Sequence, residues 1–174
     1  MVDLHAISVE MKAMTIFGTR PEIIRLSLVF KELEKKGFEH IMVNTCQNYT
    51  YNLNRLFFDE LHIRKPDYEL KVSTDSFGTE VASIIKKTEE IILKERPDIL
   101  LILGDTNSGL SAIPAAYHGV KIAHMEAGMR SYDWRMPEEK NRVTIDHLSN
   151  ILFPYTEYSR QNLCLLYTSP SPRD

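Results

Sequence analysis

The sequence predicts an α/β domain built on a doubly wound, parallel, Rossmann-like sheet. Short apolar segments alternate with longer segments of helical period. One apolar segment, Ile99–Leu103, is an unbroken aliphatic run, the pattern of a strand buried on both faces. No internal repeat and no Gly- or Ser-rich linker interrupts the alternation. Strands separated by helices of this length need crossover connections, and so pair in parallel.

Taken in order, Ala13–Phe17 reads as a buried strand ending in Gly18-Thr19-Arg20-Pro21-Glu22. Pro21 suits a first helical turn and Glu22 its positive end. That helix is expected to reach Lys36, with Ile24, Leu28 and Val29 as its core stripe and Gly37 as its stop. His40–Asn44 is a second strand and Leu53–Leu61 a helical segment. Ser76–Arg96 is a long amphipathic helix carrying Val81, Ile84, Ile85 and Ile92, ended by Pro97. Ile99–Leu103 follows as a strand, Asn107–His118 as a helix that Pro114 kinks, and Val120–Met125 as a strand. Pro137–Asn150 is a helix, Ile151–Phe153 a short last strand, and Tyr158–Leu163 the beginning of another helix.

The 174 residues suit one domain, large enough to hold a core without disulfide or metal staples. A net charge of −3 excludes a broad nucleic-acid footprint. Cys46 and Cys164 cannot make a disulfide framework or a four-thiolate zinc site, which fits a reducing compartment. No apolar run approaches a membrane span. Residues 1–10 lack the basic and apolar regions of a secretory signal and read as an extension before Met11, so the expected location is cytoplasmic. Residues 164–174 have no period and carry Pro170 and Pro172. One choice of codons for them matches a transposase adapter used in DNA library preparation. They read as an adapter-derived tail, with the domain over residues 11–163 truncated near Leu163.

In an open parallel sheet, ligands bind beyond the carboxyl ends of the strands. The polar residues placed there are Thr19, Arg20 and Glu22; Thr45, Gln47 and Asn48; Asp105, Thr106 and Asn107; and His124, Glu126, Arg130 and Asp133. Acids and arginines at one sheet edge suit an anionic ligand and acid/base chemistry. Plainer readings stand beside this one. Gly18–Pro21 lacks the glycine pattern of a dinucleotide fingerprint and serves equally as a tight turn. Asp105 serves equally as a helix N-cap. Glu138 and Glu139 suit a first helical turn, and Glu138, Arg142 and Asp146 have the spacing of a surface ion-pair ladder. Glu126, after a buried strand and before Ala127-Gly128, is expected to project at the strand end. His124 reads as a hydrogen-bonded strand-end histidine, and the other histidines have no metal-like spacing. Cys46 reads as a small buried residue without a base. Tyr49, Tyr51, Phe57 and Phe58 read as helix core. These residues define a polar cleft and no more.

The motifs together are more specific. FGTRPEIIRLS (Phe17–Ser27), LGDTNS (Leu103–Ser108), HMEAGMRS (His124–Ser131) and MPEEKNR (Met136–Arg142) occur in an order that resembles the amino-terminal half of the non-hydrolysing UDP-N-acetylglucosamine 2-epimerases. The resemblance implies the first Rossmann-like domain of a two-domain, glycosyltransferase-B-type fold. It implies an isomerase that inverts C2 of a UDP-2-acetamido sugar, UDP-GlcNAc to UDP-ManNAc, by eliminating and re-adding UDP. It calls for no cofactor and no metal, and implies a homodimer for the full-length protein. By motif, Asp105, Glu126 and Glu138 fall on the family's acid/base carboxylates. Arg20 falls near the nucleotide phosphates, and Arg142 on an Arg that braces the site. Arg25 stands where the family often has Lys, which keeps charge but not donor geometry.

Two departures qualify the resemblance. The family's Gln-His of a regulatory UDP-sugar site appears as Gln47-Asn48. The second domain, source of a catalytic His and most uridine and diphosphate contacts, is absent, so the chain alone is expected to be inactive. The wording of Gln47–Asn54 and Phe57–Tyr68 is similar to a branch that acts on UDP-2-acetamido-2,6-dideoxy-L-talose and forms UDP-N-acetyl-L-fucosamine. That branch is the first alternative, and a glycosyltransferase of the same fold the second.

Overall fold

A computed structural model describes residues 11–46, 58–73 and 75–167. Its order is β1 (Lys12–Phe17), α1 (Arg20–Lys35), β2 (Glu39–Asn44), β3 (Tyr68–Glu69), α2 (Phe77–Glu95), β4 (Ile99–Leu103), a 3-10 turn (Asn107–Ser111), α3 (Ala112–Tyr117), β5 (Lys121–Met125), α4 (Pro137–Leu148), β6 (Ile151–Phe153) and α5 (Glu157–Tyr167).

The strands form one sheet in the order β3-β2-β1-β4-β5-β6. Every pairing is parallel, as the aliphatic strand and the crossover helices predict. The chain runs outward in both directions from β1, and the carboxyl edge between the two directions is where such sheets bind ligands. Alternate strand residues feed two cores. Met14, Ile16, Leu100, Ile102 and Ile122 pack with Ile84, Ile91 and Ile92 of α2 and Ile145 of α4. Phe17, Met42, Leu101 and Leu103 pack with Ile23, Leu26 and Phe30 of α1 on the other face.

Strand β4 and strand β6 have the predicted bounds, and Gly37 follows α1 at φ +77°, as a stop glycine does. Several expectations need correction. The buried face of α1 is Glu22, Ile23, Leu26, Ser27 and Phe30, while Ile24 and Leu28 are exposed and Val29 is only half-buried. The true stripe contains a serine whose hydroxyl donates to the Ile24 carbonyl, so a polar residue hides the helical register. On α2, Ile84 and Ile92 are buried, but Val81 and Ile85 are half-buried. Residues 107–118 form no single kinked helix: a 3-10 turn gives way to α3, which places Pro114 in a first turn where no N–H is needed. Strand β3 is an edge strand too short to show a period. Helix α5 runs on through Cys164–Tyr167, because nothing in that sequence opposes a helix before Pro170. Of the expected helix Leu53–Leu61, residues 58–60 are helical, Leu61 is in a turn and the remainder lies outside the described residues.

Candidate active site

Leu103 and Met125 are partners in the parallel register of β4 and β5. Gly104-Asp105 and Glu126 therefore leave the sheet at the same end. Glu126 has φ +68°, a left-handed conformation uncommon for a residue with a side chain. Its carboxylate turns back over Gly104: a Cβ on Gly104 would lie 3.6 Å from Glu126 Oε2. Gly104 itself has φ +74°. Arg25 of α1 reaches the same oxygen as an ion pair, and its Nη2 donates to the Tyr155 hydroxyl at 3.3 Å. Burial works against the Arg25 charge, but Glu126 and Tyr155 outweigh it and hold the guanidinium pKa above its ordinary value.

Asp105 is not a helix cap. Thr106 holds the N-cap position, and the Asp105 carboxylate accepts from Arg142 Nε at 3.0 Å and from Nη2. Arg142 Nη1 donates to Glu139 at 3.0 Å. The expected surface ladder from Glu138 through Arg142 to Asp146 is not formed, because Arg142 and Asp146 turn inward to different partners. Glu138 is exposed. It lines a cavity of about 390 Å³ with Phe77, Asp105, Thr106, Asn107, Pro137 and Asn141. Arg20 opens α1, half-buried, at the same edge. Gln47, Tyr49, Tyr51 and Phe57 lie outside the described residues.

Three buried carboxylates hold these loops: Glu22, which the sequence places at the sheet edge, and Glu139 and Asp146, which it reads as helix-turn and ladder residues. Glu22 accepts from the Gly18 and Thr19 amides at 2.9 and 2.7 Å, from the Thr19 hydroxyl at 2.8 Å, and from the Thr106 hydroxyl at 2.8 Å. It joins the loop after β1 to the loop after β4. Burial pushes its pKa up, against the pull of those donors. Glu139 accepts from the Ser131 amide and hydroxyl and from the Tyr132 amide. Burial opposes its ionisation, yet these donors and Arg142 hold its pKa below the ordinary value. Asp146 accepts from the Gly128 amide at 3.1 Å and Arg130 Nη1 at 2.7 Å, and is hydrogen-bonded to His124 Nδ1 at 2.7 Å. His124 donates through Nε2 to the Gly104 carbonyl at 2.8 Å. It is the hydrogen-bonded strand-end histidine expected. Glu139 and Asp146 lie seven residues apart, on one stripe of α4, and both are buried there along with Asn141 and Ile145.

Cys46 is half-buried and burial pushes its thiol pKa up, so it is no activated nucleophile. Among the described residues, no group of three His, Cys, Asp or Glu side chains is arranged to hold a metal, and no helix is long and apolar enough to cross a membrane.

Fold and site together define a Rossmann-like domain whose carboxyl edge gathers paired acids and arginines beside a cavity lined by Asp105 and Glu138. The family model for UDP-N-acetylglucosamine 2-epimerase matches residues 31–171, and the chain belongs to that family. It is 48% identical over 154 residues to a UDP-N-acetylglucosamine 2-epimerase homolog of Methanococcus maripaludis, covering 88% of this chain and 43% of that one. It is 43% identical over 155 residues to a UDP-2,3-diacetamido-2,3-dideoxy-D-glucuronate 2-epimerase of Pseudomonas aeruginosa, covering 88% and 44%. The crystal structure of Methanocaldococcus jannaschii UDP-GlcNAc 2-epimerase, in complex with UDP-GlcNAc and UDP, superposes at a TM-score of 0.87 and 39% identity, covering 91% and 44%. The chain thus spans less than half the length of the relatives it matches.

Proposed function

We propose that this chain is the amino-terminal domain of a cytoplasmic epimerase of UDP-2-acetamido sugars, with UDP-GlcNAc as the first candidate substrate. The observation that supports the reading is that Asp105, Glu126 and Glu138 stand at one sheet edge in different environments, Asp105 and Glu138 lining one cavity and Glu126 lying over the neighbouring Gly104. A proton leaves C2 as UDP leaves C1, and a proton returns from the opposite face as UDP adds back. That sequence needs carboxyl groups with separated roles. Asp105 is held by the Arg142 fork, Glu126 is paired with Arg25, and Glu138 is open to the cavity. Arg20 and Arg25 supply cationic groups for the diphosphate. Arg142, already engaged by two carboxylates, braces the site. Gln47 retains one residue of the family's regulatory Gln-His pair, and Asn48 stands in place of the other.

The remaining length of the relatives supplies the other wall of the cleft in this reading. A site open to water loses the low dielectric that strengthens its electrostatics. The 174 residues alone are therefore expected to give no epimerase turnover. Joining them to the carboxyl-terminal half of the Methanocaldococcus jannaschii relative is expected to give a protein that interconverts UDP-GlcNAc and its C2 epimer without any acceptor. Transfer only when an acceptor is added would reject the reading. The family includes a relative named for a diacetamido uronate, so the sugar is tested by running UDP-GlcNAc and UDP-2-acetamido-2,6-dideoxy-L-talose in parallel.

A further inference from the structure

We propose that Asp146 is the positioning residue for Glu126, acting through the turn that follows β5; the proposal rests on the reading of Glu126 as an acid/base group. The Glu126 turn is held in a left-handed conformation that its own side chain does not favour. Something around it must fix that geometry. Asp146 is fully buried, and its two oxygens meet three hydrogen-bonding partners from this turn, its strand and the residues just after it: His124, the Gly128 amide and Arg130. A carboxylate buried without such partners would be strongly disfavoured, so the donors and the acid hold one another in place.

The same cluster reaches β4. His124 donates to the Gly104 carbonyl, one residue before Asp105, and the Glu126 carboxylate lies over Gly104. Asp146 thus fixes the spacing between the backbone of Glu126 and the backbone of Asp105 without facing the cleft. A second contact closes the turn from outside. Asn162 of α5 donates to the Gly128 carbonyl at 2.9 Å, and a Cβ on Gly128 would lie 2.2 Å from the Ser159 carbonyl oxygen. The turn has no room to relax outward, so its position is set by the charge cluster beneath it.

The test uses the 174-residue chain with 13C-labelled glutamate side chains and 15N amides. In Asp146→Asn the charge facing Arg130 is lost while the shape is kept. The Glu126 carboxyl signal is expected to move, and Gly128 amide exchange to quicken about tenfold with the Leu101 amide still protected. Arg130→Gln removes a single donor, is expected to fold where Asp146→Asn does not, and is expected to move the same signals in the same direction. In the protein joined to the relative's second half, Asp146→Asn is expected to lower kcat about 100-fold with KM within about twofold, the signature of a misplaced group. A folded variant with unchanged Glu126 and Gly128 signals, or with unchanged kcat, overturns the proposal. Full turnover of the joined Glu126→Gln protein would instead reject the role given to Glu126, and the two failures are told apart.

Discussion

Arg142 Nε donates to the Asp105 carboxylate at 3.0 Å, joining the end of β4 to helix α4 across 37 residues of chain. The same guanidinium donates to Glu139, which is 3% exposed and has no water to replace it. Arg142→Met is expected to destabilise the chain by about 1–3 kcal/mol, because it leaves a buried carboxylate one donor short. Urea unfolding measures this. Arg142→Lys keeps the charge but not the fork, and is expected to recover only part of the loss.

Gly128 has φ +78° and backs directly onto α5. Gly128→Ala is expected to cost about 2–4 kcal/mol, from left-handed strain and a clash with backbone that cannot swing aside. Thermal unfolding reads the loss. Gly119→Ala has the strain but nothing within 4 Å of the new Cβ, and is expected to cost only about 1–2 kcal/mol.

His40 gives the chain an acid sensitivity. Burial, helped by the Arg64 guanidinium, lowers its pKa to about 4, and its Nε2 pairs with the Thr15 hydroxyl at 3.0 Å. Between pH 6.5 and about 4 the unfolded chain takes up a proton that the folded chain refuses. Its contribution is therefore fully present above pH 6.5 and is lost as pH falls towards 4, by up to about 3 kcal/mol. Unfolding free energies measured against pH check this. His40→Gln is expected to flatten the slope in that window.

Most of the sheet was legible because its strands are short apolar segments bounded by Gly, Pro and charged residues, Ile99–Leu103 being the one aliphatic run among them. The face of α1 was not. Leu28 is apolar yet exposed, and Ser27 is polar yet buried, so counting apolar residues chose the wrong side. The site divides in the same way. Asp105, Glu126 and Glu138, proposed for the site from their motifs, could be placed from the sequence at strand ends or in a first helical turn. The inward roles of Glu139 and Asp146, and the link of Glu22 to Thr106, were not legible, since an acid that faces inward toward donors distant in sequence looks locally like a helix-dipole or ladder residue. Their seven-residue spacing puts Glu139 and Asp146 on one stripe of the helix, but that spacing alone does not say whether the stripe faces inward.

In the proposed function, carboxylates at this sheet edge invert C2 of a UDP-2-acetamido sugar. The joined protein, incubated with UDP-GlcNAc in deuterated water, tests it most directly by NMR of the recovered sugar nucleotides. Deuterium at C2, lost in Glu126→Gln, is the predicted result. Epimer formed with deuterium at another carbon, or with no deuterium at C2, would contradict it.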